Sequence, residues 1–176
     1  MRLTKTPLHG VMLIDIDKHK DFRGFFARSF CADTLAKEGL THVFVQSNIS
    51  FTLSKGTIRG FHYQAAPHEE DKLVRCVKGM IYDVIVDLRK DSPTYKQSFS
   101  VVLNSEDYRS LYIPKGCAHG FQTLVDDCEV NYQMSHEHVA DSAKGFRWND
   151  PCIDVEWPLP EPILNERDAN YPDYKF

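Results

Sequence analysis

The feature of this 176-residue chain that most restricts its fold is a series of short β-branched and aromatic runs separated by turn residues. The runs are Val11 to Ile16, Phe44 to Ser50, Leu73 to Val77, Met80 to Leu88, Phe99 to Leu103, Leu111 to Ile113 and Glu129 to Met134. In the fourth run, apolar residues alternate with Asp83 and Asp87, the period expected of a strand with one polar face. Helical periodicity is weak and favours only Ala32 to Glu38, with Gly39 where a C-terminal cap is expected. The pattern predicts an all-β protein, an antiparallel sandwich or barrel of the jelly-roll type with a few short helices.

The composition is that of one globular domain, with 42% apolar and 26% charged residues. The chain has no repeat, low-complexity segment or Gly/Ser linker, and its prolines are isolated until Pro158, Pro160 and Pro162. We therefore expect a single domain over residues 1–176 that ends in an extended C-terminal arm.

The charge and hydropathy patterns argue against two classes of partner. A formal net charge of -4 offers no broad attraction for nucleic acid or for an anionic membrane surface. No stretch approaches the roughly 20 apolar residues that span a bilayer, and the N-terminal segment becomes charged before a signal-peptide core forms. We expect a cytoplasmic protein without a nucleic-acid or membrane partner.

The five cysteines, at positions 31, 76, 117, 128 and 152, are odd in number and include no C-x-x-C pair. This spacing indicates neither a disulfide framework nor a zinc site. Cys76 and Cys117 lie in apolar segments, where cysteine behaves as a small hydrophobic residue.

Two glycine-flanked segments hold the residues best suited to chemistry. The segment Gly56 to Gln64 contains Arg59 and His62, which would point to opposite faces of a regular strand. A bulge at Gly60 would direct both into one cavity, and glycine inside a strand often marks such a bulge. The alternative is a surface arginine beside a hydrogen-bonded histidine. In a second segment, Ile113 to Phe121, glycines again flank a histidine, His119.

Three further polar residues, Lys72, Asp83 and Tyr132, lie in or beside predicted strands. Each has an ordinary structural explanation when considered alone. A lysine at a strand edge discourages aggregation and could pair with Asp83, and a tyrosine in a sheet commonly packs in the core with its hydroxyl satisfied at the rim.

Taken in order along the chain, these segments resemble the dTDP-4-dehydrorhamnose 3,5-epimerases, cofactor-free enzymes that act third in dTDP-L-rhamnose synthesis. The matching stretches are Asp21 to Phe26, Val45 to Asn48, Lys55 to Gln64, Lys72 to Arg75, Asp83 to Asp87, Ser92 to Thr94, Ile113 to Gly116, Ala118 to Phe121, Trp148 to Pro151, Trp157 with Pro158, and Arg167 with Asp168. The resemblance implies a cupin-type jelly roll with the sugar inside the barrel. It also implies a homodimer that exchanges N-terminal strand segments.

The resemblance also implies roles for individual residues. His62 is the expected base, oriented by Asp168, with Tyr132 as the acid on the opposite sugar face and Lys72 near the ketone oxygen. The residues expected to bind the substrate are Arg59 and His119 at the diphosphate and sugar oxygens, and Arg23, Gln46 and Asn48 on the nucleotide side, with Asp83 in a supporting position. Arg28 departs from the family pattern, and we expect it too to bind the substrate near the nucleotide.

This set of residues suits epimerisation beside a ketone. A ketone at carbon 4 acidifies the protons on carbons 3 and 5, so inversion needs a base on one face, a group that stabilises the enolate and an acid on the other face. Histidine titrates near neutral pH and can serve as such a base. We expect neither a metal nor a redox cofactor, and a nucleotide-diphosphate keto sugar as the substrate.

The chain departs from the family pattern at three places, which leaves the identity of the nucleotide open. It reads Arg28-Ser29-Phe30 where the family commonly has Glu-Ser-Phe. Before Lys72 it has the acidic segment Pro67 to Asp71 in place of a Gln-Gly pair, which we expect near the cavity mouth. After Ser92-Pro93-Thr94, Tyr95-Lys96 replaces the usual glycine. Thymidine is the leading nucleotide, with cytidine and guanosine as alternatives.

Three other functions remain possible from the sequence. One is an epimerase that inverts only carbon 3 or carbon 5 of a dTDP-, CDP- or GDP-linked keto sugar. Another is a metal-dependent cupin, but the one His-x-His pair is His136-Glu137-His138 in a polar segment, and Gln64 stands where the second ligand after His62 is needed. The third, a non-catalytic sugar-binding module, does not explain why Tyr132 and Asp168 accompany His62.

Overall fold

The computed structural model describes residues 1–153 and 155–175. Within them, the chain forms thirteen β-strands and two α-helices. The strands are β1 Arg2–Lys5, β2 Met12–Asp15, β3 His19–Asp21, β4 Gly24–Phe26, β5 Gln46–Thr52, β6 Ile58–Gln64, β7 Lys72–Lys78, β8 Met80–Asp87, β9 Ser98–Asn104, β10 Ser110–Ile113, β11 Cys117–Thr123, β12 Cys128–Met134 and β13 Ala143–Gly145. The helices are α1 Ala32–Lys37 and α2 Glu166–Ala169, and a single 3₁₀ turn spans Ala140–Ser142.

Most strands belong to two antiparallel sheets that pack face to face. The six-stranded sheet has the order β1-β2-β10-β7-β12-β5, and the five-stranded sheet has the order β13-β6-β11-β8-β9. Strands β3 and β4 form a separate hairpin. The predicted all-β class and two-sheet architecture are confirmed.

The core between the sheets is apolar. Val74 and Val130 of the six-stranded sheet pack with Ile81 and Ile85 of the five-stranded sheet, and all four are almost completely buried. Each such side chain contributes about 1.5–3 kcal/mol when it is fully removed from water. Tyr132 packs at the margin of this cluster, where the space between the sheets continues as a polar cavity.

A second apolar cluster covers the outer face of the five-stranded sheet. The Phe61 and Phe146 rings stack with their centroids 4.9 Å apart, and Trp157 from the C-terminal arm packs against Phe61. The central strands of this sheet are therefore buried on both faces. Asp83 and Asp87, the polar residues of the alternating pattern predicted for β8, are fully buried on its inward face.

The predicted strand runs are confirmed with small shifts at their ends. The largest shift is in the second run, where β5 begins at Gln46 and not at Phe44. The predicted helix is α1, and Gly39 follows it with a φ of 70°, the left-handed conformation that glycine adopts readily. Cys76 and Cys117 are buried thiols, as expected, and burial raises the pKa of each to about 12.

The bulge predicted at Gly60 is confirmed by the pairing of β6 with β11. His62 lies opposite His119 and Arg59 opposite Phe121, so three steps along β6 match two along β11. Gly60 has a φ of 134°, and a Cβ atom there would lie 2.5 Å from the Cα of Gly120. Only glycine fits this close approach, and the extra residue turns Arg59 and His62 toward the same cavity.

None of the helices formed by residues 1–153 and 155–175 is both long enough and apolar enough to cross a membrane.

Candidate active site

A cavity of about 390 Å³ lies between the two sheets and is lined mainly by polar side chains. The six-stranded sheet contributes Gln46, Asn48, Ser50, Lys72, Tyr132 and Met134 to its wall. The five-stranded sheet contributes Arg59, His62, Tyr63, Gln64, His119, Phe121, Ala143 and Lys144. A bound molecule would therefore lie between the side chains of two facing sheets.

His62 and Asp168 form a hydrogen-bonded pair in this wall. His62 Nε2 is 2.8 Å from Asp168 Oδ1, and Asp168 is fully buried. Burial acts to raise the pKa of Asp168, but the hydrogen bond and charge of His62, the Gly60 N–H and the Arg167 charge outweigh it and lower the pKa. An ionised carboxylate only accepts hydrogen bonds, so Nε2 carries the proton and Nδ1 is left as the basic nitrogen.

The C-terminal arm brings Asp168 to His62 across a separation of 106 residues. The arm first runs beside β6, where Ile58 N donates to Ile163 O and Ile163 N donates to Gly56 O. The short helix α2 then begins at its N-cap, Asn165, whose side chain accepts a hydrogen bond from Asp168 N at 2.7 Å. These contacts hold the carboxylate behind the imidazole.

A second imidazole–carboxylate pair lies beside the first. His119 Nε2 is 2.6 Å from Asp83 Oδ1, and His119 is the cross-strand neighbour of His62. Asp83 comes from β8, the strand on the other side of β11. Asp83 is thus not the partner of Lys72.

Lys72 pairs instead with Glu70, at 2.6 Å between Nζ and Oε1, and both side chains are almost fully buried. In the acidic segment Pro67 to Asp71, which was expected near the cavity mouth, the last two residues are buried. Glu70 faces the cavity, and the buried Asp71 accepts hydrogen bonds from Thr41 Oγ1 and Tyr112 OH, each at 2.8 Å.

Tyr132 lies across the cavity from His62. It projects from β12 in the six-stranded sheet, whereas His62 belongs to the five-stranded sheet. Burial raises the pKa of Tyr132, Arg59 opposes this effect and Glu70 adds to it. The phenol therefore remains protonated at neutral pH and can donate a proton.

The other predicted cavity residues are held by local contacts. The Arg59 guanidinium donates to Thr52 Oγ1 and to Phe51 O, each at 3.0 Å, which ties β6 to β5, the edge strand of the other sheet. Gln46 Nε2 donates to Asn48 Oδ1 at 3.0 Å. The structure thus brings together His62, Lys72, Tyr132, Arg59, His119, Gln46 and Asn48 in the cavity wall, with Asp168 and Asp83 behind the two histidines.

Arg23 and Arg28 lie outside this cavity within the single chain. Arg23 is at the tip of the β3–β4 hairpin, where its guanidinium binds Asp21 at 2.7 Å and its side chain is 74% exposed. Arg28 is exposed in the loop before α1, with its Nη1 atom 3.7 Å from Cys31 Sγ.

Among residues 1–153 and 155–175, no group of three or more His, Cys, Asp or Glu side chains is arranged to hold a metal ion. His138 lines the cavity, while the His136 ring lies 5.1 Å from the ring of His68. The Gln64 amide binds backbone groups, with its Nε2 atom 2.8 Å from His68 O.

Comparison with known proteins identifies the family. The model of the dTDP-4-dehydrorhamnose 3,5-epimerase family matches residues 5–175. The chain belongs to this family. A dTDP-4-dehydrorhamnose 3,5-epimerase of Shigella flexneri is 40% identical over 171 residues, which cover 97% of this chain and 94% of the relative.

Solved structures of epimerases share the fold over almost the whole chain. The dTDP-4-dehydrorhamnose 3,5-epimerase of Bacillus anthracis, with TDP and PPi bound, superposes with a TM-score of 0.94 at 42% identity and covers 98% of this chain and 99% of its own. The dTDP-6-deoxy-D-glucose-3,5-epimerase of Legionella pneumophila, in complex with dTDP-4-keto-L-rhamnose, has a TM-score of 0.89 at 34% identity, with 99% of each chain covered. The cupin-type jelly roll implied by the sequence is therefore confirmed.

The cavity of this epimerase-family chain is also lined by Glu70, Arg167 and Tyr171, for which the sequence predicted no role. Glu70 pairs with Lys72, the Arg167 guanidinium lies 3.1 Å from His62 Nε2, and the Tyr171 ring lies 5.9 Å from the His62 ring. Because Nε2 donates its proton to Asp168, Arg167 contributes positive charge there and no hydrogen bond to the ring. The Arg167-Asp168 motif was a signal for Arg167, and the unusual acidic segment was a signal for Glu70.

Proposed function

We propose that the protein is an isomerase that inverts carbons 3 and 5 of a dTDP-linked 4-keto-6-deoxyhexose without a cofactor. The observation that carries the proposal is the His62–Asp168 pair on one sheet facing Tyr132 on the other, across a cavity with room for a sugar. The similarity to epimerases solved with TDP and PPi, or with dTDP-4-keto-L-rhamnose, supports the same substrate class.

In the first step, His62 Nδ1 removes the proton from carbon 3 or carbon 5. The electron pair of the broken C–H bond forms the enolate with the ketone at carbon 4, and the imidazole becomes an imidazolium. The ionised Asp168 stabilises that cation through the Nε2–H hydrogen bond and keeps the ring in the reactive tautomer.

The enolate oxygen then requires a hydrogen-bond donor in a site with little water. Lys72 Nζ serves this purpose, and its pairing with Glu70 fixes the direction of its remaining hydrogens. Because Glu70 offsets the ammonium charge, Lys72 acts chiefly as an oriented donor. Arg59 and the His119 side chain bind the diphosphate and sugar oxygens.

In the last step, Tyr132 returns a proton to the carbon from the opposite face, and the ketone re-forms. Its hydroxyl is protonated at neutral pH because burial raises its pKa. His62 then loses its extra proton to water and the phenolate regains one, so the reaction consumes no proton overall. The same three steps act at each of the two carbons.

The test is proton exchange in deuterated water with protein that has been dialysed exhaustively against EDTA. We expect deuterium at both carbon 3 and carbon 5 of the dTDP-linked 4-keto-6-deoxyhexose, at a rate that chelation does not reduce. Enolisation beside an existing ketone needs neither hydride transfer nor an external Lewis acid.

Other outcomes of this test identify the alternative functions. Exchange at one carbon indicates a single-position epimerase, and faster exchange with CDP- or GDP-linked sugars indicates a different nucleotide. Activity lost on chelation and restored by zinc or iron indicates a metal-dependent cupin. Binding of the nucleotide sugar without any exchange indicates a sugar-binding module.

The working assembly is a homodimer in which the β3–β4 hairpin of one protomer reaches the cavity of the other. The outer face of the six-stranded sheet carries exposed apolar side chains, including Ile49 and Phe51 on β5 and Val77 on β7. At the hairpin tip, Phe22 is 98% exposed beside Arg23. Apolar exposure on this scale is typical of a protein–protein interface. Arg23 and Arg28 then bind the nucleotide in the partner's cavity.

Complementation between two weakened variants tests this arrangement. We expect Arg23→Ala and His62→Asn to be weakly active alone at low substrate concentration. After subunits exchange in an equal mixture, about half of the dimers contain one chain of each variant. In each mixed dimer, the cavity that keeps His62 receives Arg23 from the His62→Asn chain, so about a quarter of all cavities are intact. If Arg23 served its own cavity, mixing would restore nothing.

A further inference from the structure

Glu70 is the one acidic residue among those that line the described cavity. Its side chain is 3% exposed, and its Oε1 atom binds Lys72 Nζ at 2.6 Å. Its other oxygen, Oε2, is buried and has no hydrogen-bond partner within the described residues. A buried carboxylate oxygen without a partner is costly, and because Glu70 lines the cavity, this oxygen is suited to accept a hydrogen bond from a bound molecule.

Contacts on both sides hold Glu70 in this orientation. The next residue, Asp71, is fixed by Tyr112 OH at 2.8 Å and by an exchange of hydrogen bonds with Ser135, whose Oγ atom lies 2.8 Å from Asp71 N. On the other side, His68 O accepts from the Gln64 amide at 2.8 Å. The carboxylate is therefore positioned before any ligand binds, which reduces the entropic cost of using it.

The Glu70–Lys72 pair presents a donor and an acceptor side by side. An ammonium donates to a carbonyl oxygen, which can only accept, while a carboxylate accepts from a hydroxyl group. A ketone with a hydroxyl on the adjacent carbon has the complementary arrangement. In a 4-keto-6-deoxyhexose, carbon 3 carries that hydroxyl, whereas the carbon on the other side of the ketone, carbon 5, carries a methyl group.

We propose that Glu70 is a specificity-determining residue whose Oε2 atom accepts a hydrogen bond from the carbon 3 hydroxyl while Lys72 binds the carbon 4 oxygen. This assignment rests on the proposed function. It makes the enzyme selective for sugars that carry a hydroxyl beside the ketone. The hydroxyl that Glu70 recognises is on carbon 3, one of the two carbons whose configuration changes.

The experiment compares two substrates and measures exchange only at carbon 5, which both substrates possess. One is the dTDP-linked 4-keto-6-deoxyhexose and the other is its 3-deoxy analogue. For the unmodified protein, we expect kcat/KM to be about 10- to 100-fold lower for the analogue, the range for losing a hydrogen bond to a charged group. In Glu70→Gln, the new amide binds Lys72 through its oxygen and therefore turns its NH₂ group toward the sugar, where it cannot accept a hydrogen bond. We expect the ratio of kcat/KM between the two sugars to fall at least about tenfold.

Two further variants make the comparison decisive. Glu69→Gln makes the same change one residue away, outside the cavity lining, and should retain the full preference. Glu70→Asp keeps the negative charge beside Lys72 but withdraws the acceptor, and should lose the preference as Glu70→Gln does. Binding of dTDP alone, unchanged in every variant, confirms that the cavity is intact.

The outcomes separate this inference from the function on which it rests. If the unmodified protein does not exchange the carbon 5 proton of the natural sugar, the proposed function fails. If it exchanges that proton but shows no preference between the two sugars, or if both Glu70 variants retain the preference, Glu70 serves only as the partner of Lys72 and the inference is wrong.

Discussion

In the His62→Asn variant, we expect proton exchange at both carbon 3 and carbon 5 to fall by at least about 10³-fold, within the range that a general base contributes. Asparagine fills similar space and can still bind Asp168, but its amide nitrogen has no basic lone pair. Because one imidazole faces both carbons in this mechanism, the two exchange rates should fall together. Proton NMR in deuterated water follows both signals in one sample.

Asp168→Asn is the matched comparison for this variant. The amide oxygen can still accept from His62 Nε2, but the charge that stabilises the imidazolium is lost. We expect a weakened and measurable rate, well above that of His62→Asn. Unchanged thermal unfolding of both variants is the control, and normal exchange by His62→Asn would rule out His62 as the base.

The Tyr132→Phe variant should still exchange protons but should form little inverted product. Removing the hydroxyl deletes only the return of a proton from the opposite face, while His62 continues to form the enolate. Deuterium then enters by return to the original face, with retained configuration. Loss of a general acid lowers the rate of inversion by about 10²–10⁴-fold, whereas exchange should change much less.

The informative quantity is the ratio of exchange to inversion, measured by NMR on the same Tyr132→Phe sample. If Tyr132 only packs at the margin of the core, the two rates should change together or not at all. Because the ring remains, the apolar packing is kept, and an unchanged melting profile verifies this. A variant that inverts the sugar as fast as it exchanges would show that another group is the acid.

Local sequence patterns identified most of the strands and the shape of β6. The β-branched runs are long enough to show a period of two, and glycine inside a run indicates a bulge without knowledge of neighbouring strands. For this reason the bulge at Gly60, and the common direction of Arg59 and His62, could be predicted. The same pattern placed Asp83 and Asp87 on one face of β8 but could not show that this face is buried, because alternation separates the two faces of a strand without telling what covers each.

The pairing of the site residues depended on tertiary structure. The resemblance to known epimerases suggested that Asp168 orients His62, but no local pattern links residues 106 positions apart, and the C-terminal arm beside β6 makes that contact. Asp83 pairs with His119 and not with Lys72 because β8 and β11 are neighbours in one sheet, whereas Lys72 lies in the other. The sequence by itself determined which side chains are available and which strands present them. Sheet order and the course of the arm decided which charges meet, because strand pairing joins segments that are distant along the chain.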